Sequence, residues 1–350
     1  MKRNYGIDLL RIVVMLFVAA LHIIGIGGII TGAELLSGQF LTAQLLRIAM
    51  LCAVDCYALI SGYVGWSKKP RLSGVAMLWI KAVICCVVIT AAFSRFVRID
   101  FKTAVSALIP VTTGQYWYLT AYAGLFVLMP LLNFAVQNMP KRELTLTLSG
   151  ILILFCILPI SPLTDAFYLH DGYSAAWLAV MYLLGGYLGK YDLLPRLSGK
   201  VWAVLYIAAV LFAWAPRMAA LWLKPIYWSM AYGNILIEYT SPTIVLAAVA
   251  LLALFSRMEL PTQARKTVAK LSPHAFGVYL FHAHPLLFRY ALEDRFAALG
   301  TSPIPALIGT VFAGAVLICI AGVVADWLLT AALKLLRIDK LLKKLDRFTK

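Results

Sequence analysis

Residues 8–30 read DLLRIVVMLFVAALHIIGIGGII, an apolar run long enough to cross a bilayer as a helix, yet it carries Asp8, Arg11 and His22. Such a run needs hydrocarbon as its solvent. An ionisable group inside it costs about 2.5–3.5 kcal/mol on insertion scales, so each of the three needs a partner or a purpose. The rest of the chain shares the first property. With 350 residues, 63% hydrophobic and 13% charged, and a mean hydropathy of +0.88, there are too few charges to cover a globular surface. The apolar runs lack period-two alternation, so they are read as helices and not as barrel strands. The expected fold class is all-α, a polytopic membrane helical bundle.

Runs at 8–30, 42–65, 74–94, 116–136, 144–160, 175–190, 201–221, 234–256, 274–290 and 304–336 predict about ten transmembrane helices, separated by charged or Gly/Pro/Ser-containing loops. A net charge of +16 would suggest nucleic acid in a soluble protein. Here the bases gather in alternate short loops, around Lys2, Arg3, Lys68, Lys69, Arg71, Lys141, Arg142, Lys190, Arg196, Lys200, Arg257, Arg265, Lys266 and Lys270, and after Lys334. The opposite loops hold Arg95, Arg98, Lys102, Arg217, Lys224, Arg289 and Arg295. That asymmetry places both termini in the cytoplasm and implies no nucleic-acid partner. Met1-Lys2-Arg3 looks like the start of a signal peptide, but no small-residue cleavage site ends the run, so it is read as a retained first span.

Residues 1–336 are expected to form one transmembrane domain. Residues 337–350, with Leu341, Leu342, Leu345 and Phe348 set against lysines, read either as a basic amphipathic helix on an anionic leaflet or as a stop-transfer tail. The six cysteines lie in apolar stretches and read as small hydrophobes, not as a disulfide framework. Neither an internal repeat nor a soluble catalytic domain is visible, so chemistry must come from side chains of the bundle.

Arg11 and His22 are eleven positions apart, which at about 100° per residue returns to within about 20° of the same helix face. At 1.5 Å rise per residue they stand roughly 16 Å apart, too far for a direct relay, so they suit two ends of one long ligand in one cavity. Imidazole takes a proton near neutrality, and guanidinium grips phosphate; a packing role is the alternative for a lone histidine. Asp8 reads as structural, capping the helix or pairing with Arg11 three residues on. Arg47 and Asp55 must both avoid lipid, through pairing with other helices or through substrate. Glu238 could hydrogen-bond sugar hydroxyls, whereas Asp326 has no partner identifiable from sequence. Tyr116, Trp117 and Tyr118 suit either an interfacial belt or sugar stacking. His282 and His284 project about 200° apart, which argues against a shared metal; His282 is the stronger functional candidate. No metal-binding, Walker or nucleophile-elbow motif is present, and Gly25, Gly27 and Gly28 read as helix packing.

Arg11 followed by ten residues and His22 resembles the Arg-x10-His signature of the membrane-bound acyltransferase-3 family, bacterial enzymes that O-acylate polysaccharides, peptidoglycan and lipid-linked glycans. Ser61-Gly62-Tyr63, Gln115-Tyr116-Trp117-Tyr118 with Pro130, Tyr239-Thr240-Ser241-Pro242 and Gly277-Val278-Tyr279-Leu280-Phe281-His282 are similar to that family's motifs and follow its order across essentially the whole chain. Where members often carry Arg-x-x-Arg, this chain has Lys68-Lys69-Pro70-Arg71, which lacks one bidentate fork. The resemblance implies an integral membrane O-acyltransferase of the bacterial plasma (inner) membrane. It would use acyl-CoA, acetyl-CoA above all, as co-substrate, with no tightly bound cofactor or metal and a hydroxyl of a cell-surface or lipid-linked glycan as acceptor. His22 and Arg11 would be catalytic, with Arg11, Lys68, Arg71 and Ser61 at the donor. Trp117, Tyr118, Glu238, Tyr279 and His282 would face the acceptor, while Asp8 and Asp55 orient. Transfer could be direct or pass through an acyl-imidazole on His22. A transporter or flippase for a lipid-linked glycan is the rival class, although inverted repeats and paired broken helices are not visible.

Overall fold

The computed structural model describes residues 3–158, 165, 167–223 and 236–349. Lys2, Lys224, Lys350, residues 159–160 and 234–235 of two expected spans, and the side chain of Phe348 lie outside the described residues. Among the described residues every regular element is a helix and there is no strand. Six segments are long and apolar enough to cross a membrane: Tyr5–Gly32, Gly38–Gly65, Leu72–Phe93, Trp117–Asn138, Gly199–Leu223 and Ile304–Leu335. Their outward faces stay apolar. Val127, Leu131 and Phe134, Val204 and Phe212, and Leu317 and Trp327 are all exposed, a surface that only lipid can solvate.

Helix α1 (Tyr5–Ile24) begins where the Asn4 side chain accepts the Ile7 N–H, so Asn4 is the cap and Asp8 is released for ion pairing. α1 is the central element. It packs against α3 (Gly38–Leu51), α4 (Ala53–Gly65) and the late helices, among them Pro242–Ser256, Ala275–His282 and Ile304–Leu335. α2 (Ile29–Gly32) follows a turn in which Gly28 takes a left-handed conformation. The expected span 42–65 is realised as two helices, α3 and α4, broken at Cys52.

α4 and a helix over Ala175–Lys190 pack backbone against backbone. A Cβ on Gly62 would collide with the backbone carbonyl of Tyr182, and one on Gly185 with that of Leu59. The glycine of Ser61-Gly62-Tyr63 is therefore a contact-distance requirement. Gly62→Val is expected to destabilise the bundle by on the order of 1–3 kcal/mol or more, because backbone and not a flexible side chain must move. Thermal unfolding of the purified variant checks this, and an unchanged transition would show that the helices can separate freely.

The remaining chain is α5 (Leu72–Phe93), α6 (Phe101–Leu108), α7 (Trp117–Asn138), α8 (Lys141–Leu152), α9 (Ala175–Lys190), α10 (Gly199–Leu223), α11 (Pro242–Ser256), α12 (Thr262–Leu271), α13 (Ala275–His282), α14 (Ile304–Leu335) and α15 (Ile338–Leu342). Two expected spans, 234–256 and 274–290, are shorter than their apolar runs, whereas α9 matches its run 175–190. α8 passes into a π turn at Ile153–Ile157, and α9 is a mostly buried interior helix. α11 starts only at Pro242, and the run 274–290 breaks after His282 because Pro285 holds His284 extended.

Asp326 of α14, unpaired in the sequence reading, binds Lys81 Nζ of α5 at 2.8 and 3.0 Å and His274 Nδ1 at 2.7 Å. Gly277 lies against this carboxylate with no room for a Cβ. Asp346 in the tail accepts the Ser73 N–H at 2.9 Å and its hydroxyl at 2.7 Å, satisfying an otherwise free donor at the start of α5. Those bonds, with the charge of Arg71, hold the Asp346 carboxyl below its ordinary range.

Candidate active site

The face of α1 that carries Arg11 and His22 opens into two cavities and not the single one expected. The inner cavity, about 410 Å³, is lined by Arg11, Ser61, Lys68, Lys69, Arg71 and Tyr122 among others. The outer cavity, about 540 Å³, is lined by His22, Arg47, Tyr57, Trp117, Tyr118 and Tyr279, with Tyr173, Tyr239 and Phe288 completing an aromatic wall. Three tyrosines stand between them. Tyr57 lines the outer cavity while its hydroxyl donates to the Arg11 carbonyl at 2.7 Å. Its ring meets that of Tyr118 at 6.2 Å, and Tyr118 stacks on Tyr122 of the inner cavity at 6.3 Å.

At the inner cavity Asp8 accepts from Arg3 Nε at 2.6 Å and from Arg11 Nη1 at 2.7 Å. That pairing orients the guanidinium and occupies one of its edges, leaving its other donors for a ligand. The basic loop is held by α7: Asn133 donates to the Lys68 carbonyl at 2.8 Å, and Gln137 one turn later donates to that of Trp66 at 2.7 Å. Asn133 in turn accepts the Tyr182 hydroxyl at 2.8 Å. Ser61 donates to the Tyr57 carbonyl at 2.8 Å. Arg11, Ser61, Lys68 and Arg71 thus converge, a concentration of positive charge with few carboxylates that suits phosphate.

At the outer cavity His22 Nδ1 lies 3.0 Å from His282 Nε2, and His282 Nδ1 lies 2.6 Å from the Val278 carbonyl. A carbonyl only accepts, so His282 carries its proton on Nδ1 and accepts at Nε2. His22 must therefore donate from Nδ1, and its Nε2 keeps a lone pair. This chain fixes the tautomer of a base. His282 is not on the outer cavity wall; it lies behind His22 and orients it. Phe288 packs edge-on to His22 at 4.8 Å.

Trp117 meets Tyr173 at 4.4 Å and lies nearly parallel to Tyr239 at 6.1 Å, presenting flat apolar faces beside polar rims. Tyr279 lines the same cavity, its hydroxyl accepting the Tyr118 N–H at 3.3 Å. Glu238 is half-buried behind Tyr239 and not on the wall; its N–H donates to Ser241 Oγ at 2.9 Å. Asp55 is fully buried between α4 and α9 and accepts from Trp177 Nε1 at 2.9 Å, so it serves the packing behind the cavity. Arg47, Tyr173, Tyr239 and Phe288 join the site by tertiary folding. Arg47 carried a sequence signal in its charge inside an apolar run and Tyr239 in its motif, whereas Tyr173 and Phe288 carried none.

A family model described as an acyltransferase domain matches residues 4–326. No curated protein and no solved structure matches the chain. The matched region contains every residue of both cavities, and the chain belongs to the acyltransferase-3 family of membrane acyltransferases.

Proposed function

We propose that this protein transfers an acyl group, acetyl above all, from cytosolic acyl-CoA to a hydroxyl of a cell-surface or lipid-linked glycan in the bacterial inner membrane. The observation that carries the reading is the hydrogen-bond chain from the Val278 carbonyl through His282 to His22, which leaves one basic nitrogen beside an aromatic cavity. The polypeptide crosses ten times, its shorter helices completing passes within the bundle, with both termini in the cytoplasm.

The donor's phosphates rest in the inner cavity on Arg11, Lys68 and Arg71, and its thioester arm passes the tyrosine partition toward His22. Tyr57 and Tyr118 must turn aside for that passage. The glycan stacks on Trp117 and Tyr239 in the outer cavity. His22 Nε2 takes the proton of the acceptor hydroxyl as its oxygen attacks the thioester carbonyl. The C–S bond then breaks, CoA thiolate leaves, and the proton on His22 passes to that sulfur. Placing the inner cavity cytosolic and the outer one opposite makes the transfer vectorial.

The test is incubation of vesicles carrying the purified protein with radiolabelled acetyl-CoA and a glycan acceptor. Label is expected in alkali-labile ester on the glycan, with stoichiometric free thiol. Movement of a lipid-linked glycan without consumption of acetyl-CoA would replace this reading by transport.

A further inference from the structure

The outer cavity holds a charge that the proposed chemistry does not use. Arg47 lies on α3 one turn before Leu51 and two before Val54, and all three line the cavity that His22 and Trp117 line. Among the described residues Arg47 makes no hydrogen bond and no ion pair, unlike Arg3, Arg11 and Lys81, which are paired with Asp8 and Asp326. The charge of Arg47 reaches Glu238 and Arg217, yet Glu238 stands beyond ion-pair distance of Arg47.

A guanidinium stays protonated under all ordinary conditions, so a cavity-facing arginine within a bilayer-depth helix keeps its full charge. Leaving that charge without a direct partner is expensive, and a ligand that brings an anion removes the cost. The donor's phosphates cannot be that anion while they rest beyond the tyrosine partition with Arg11, Lys68 and Arg71. What remains is the molecule that occupies the aromatic cavity itself.

We infer that the outer cavity takes a negatively charged glycan, whose carboxylate or phosphate pairs with Arg47 while its ring lies against Trp117 and Tyr239 and a hydroxyl reaches His22. This deepens the proposed function by naming the acceptor's chemical class, and it rests on that reading for the word acceptor. Arg47 is then a specificity-determining residue. A neutral sugar could stack on the same rings but would leave the guanidinium unpaired, which costs affinity without any clash.

Binding tests this without donor or turnover. The full-length protein in lipid nanodiscs is titrated calorimetrically with methyl glucuronide, with glucose 1-phosphate and with methyl glucoside. At least one charged probe is expected to bind about tenfold or more tightly than the neutral one, the effect of one charge-assisted pair. Arg47→Met should remove that preference, and Arg47→Lys should keep part of it. The better charged probe identifies carboxylate or phosphate as the anion.

The inference is overturned by equal binding of charged and neutral probes, by no binding of either charged probe, or by a preference that survives Arg47→Met. Loss of charged-probe binding in Lys68→Ala but not in Arg47→Met also overturns it, since the anion then sits in the inner cavity. Arg47-dependent binding with no acetyl-CoA consumption would leave the inference standing and remove the transferase reading instead.

Discussion

Replacing His22 by alanine is expected to lower acyl transfer by about 10²–10⁴-fold, the range that one positioned acid–base group contributes. Binding of acyl-CoA should stay within about twofold, because the groups proposed to hold its phosphates line the other cavity and, among the described residues, no hydrogen bond links them to the imidazole. The loss should therefore appear in kcat and not in the donor KM. His282→Phe extends the test. It keeps the volume behind His22 but removes the acceptor that holds the proton on Nδ1, so either nitrogen of His22 can carry it. An intermediate loss in kcat is expected, with a smaller one for His282→Gln, whose side-chain oxygen can accept the same hydrogen bond. If His22→Ala transfers acetyl to glycan at the wild-type rate, the base assignment is wrong, whatever the family.

The same variants separate the two chemical routes. Direct attack predicts no protein-bound label when wild-type protein meets labelled acetyl-CoA without acceptor. An acyl-imidazole predicts hydroxylamine-labile label that disappears in His22→Ala. His282 accepts from Nδ1 and leaves Nε2 open, a geometry that serves either a base or a nucleophile.

Helix α1 was readable from the chain alone because charges inside hydrocarbon demand an account, and Asp8, Arg11 and His22 fall on one apolar run. The pair formed by Asp8 and Arg11 is local, three residues apart, and spacing sufficed to foresee it. The partner of His22 is 260 residues away, and nothing local distinguishes a histidine that touches a sugar from one that orients another histidine. Asp326 and Lys81 are similar, separated by 245 residues on helices whose apolar patterns look complete without them. The single long cavity failed for a related reason. Tyr57, Tyr118 and Tyr122 each satisfy sequence rules for a membrane helix, yet only the fold brings their rings together between the cavity of Arg11 and that of His22. Span lengths were misread where a proline marks a helix boundary inside an apolar run: Pro242 opens α11, and Pro285 holds His284 extended after α13.

Arg11→Met is expected to raise the KM for acyl-CoA by about 10- to 100-fold, the worth of a charge-assisted contact to phosphate, with a smaller change in kcat. The fold should survive, because Asp8 keeps its second partner: Arg3 Nε remains at 2.6 Å, so no buried carboxylate is stranded. Arg11→Lys should recover little of the loss, since an ammonium cannot bond Asp8 on one edge and phosphate on the other as a planar fork does. Lys68→Ala should cost less, because Lys68 is exposed and its charge is screened by water and salt. The contribution of Lys68 should also fade with rising ionic strength, whereas that of Arg11, partly buried and held by Asp8, should persist. Acetyl-CoA and dephospho-CoA thioester compared on the two variants identify which residue meets the 3′-phosphate, since its partner's substitution no longer matters when that phosphate is absent. If both variants bind acetyl-CoA like wild type, the donor enters elsewhere, and the basic loop fixed by Asn133 and Gln137 serves only to set the orientation of the chain in the membrane.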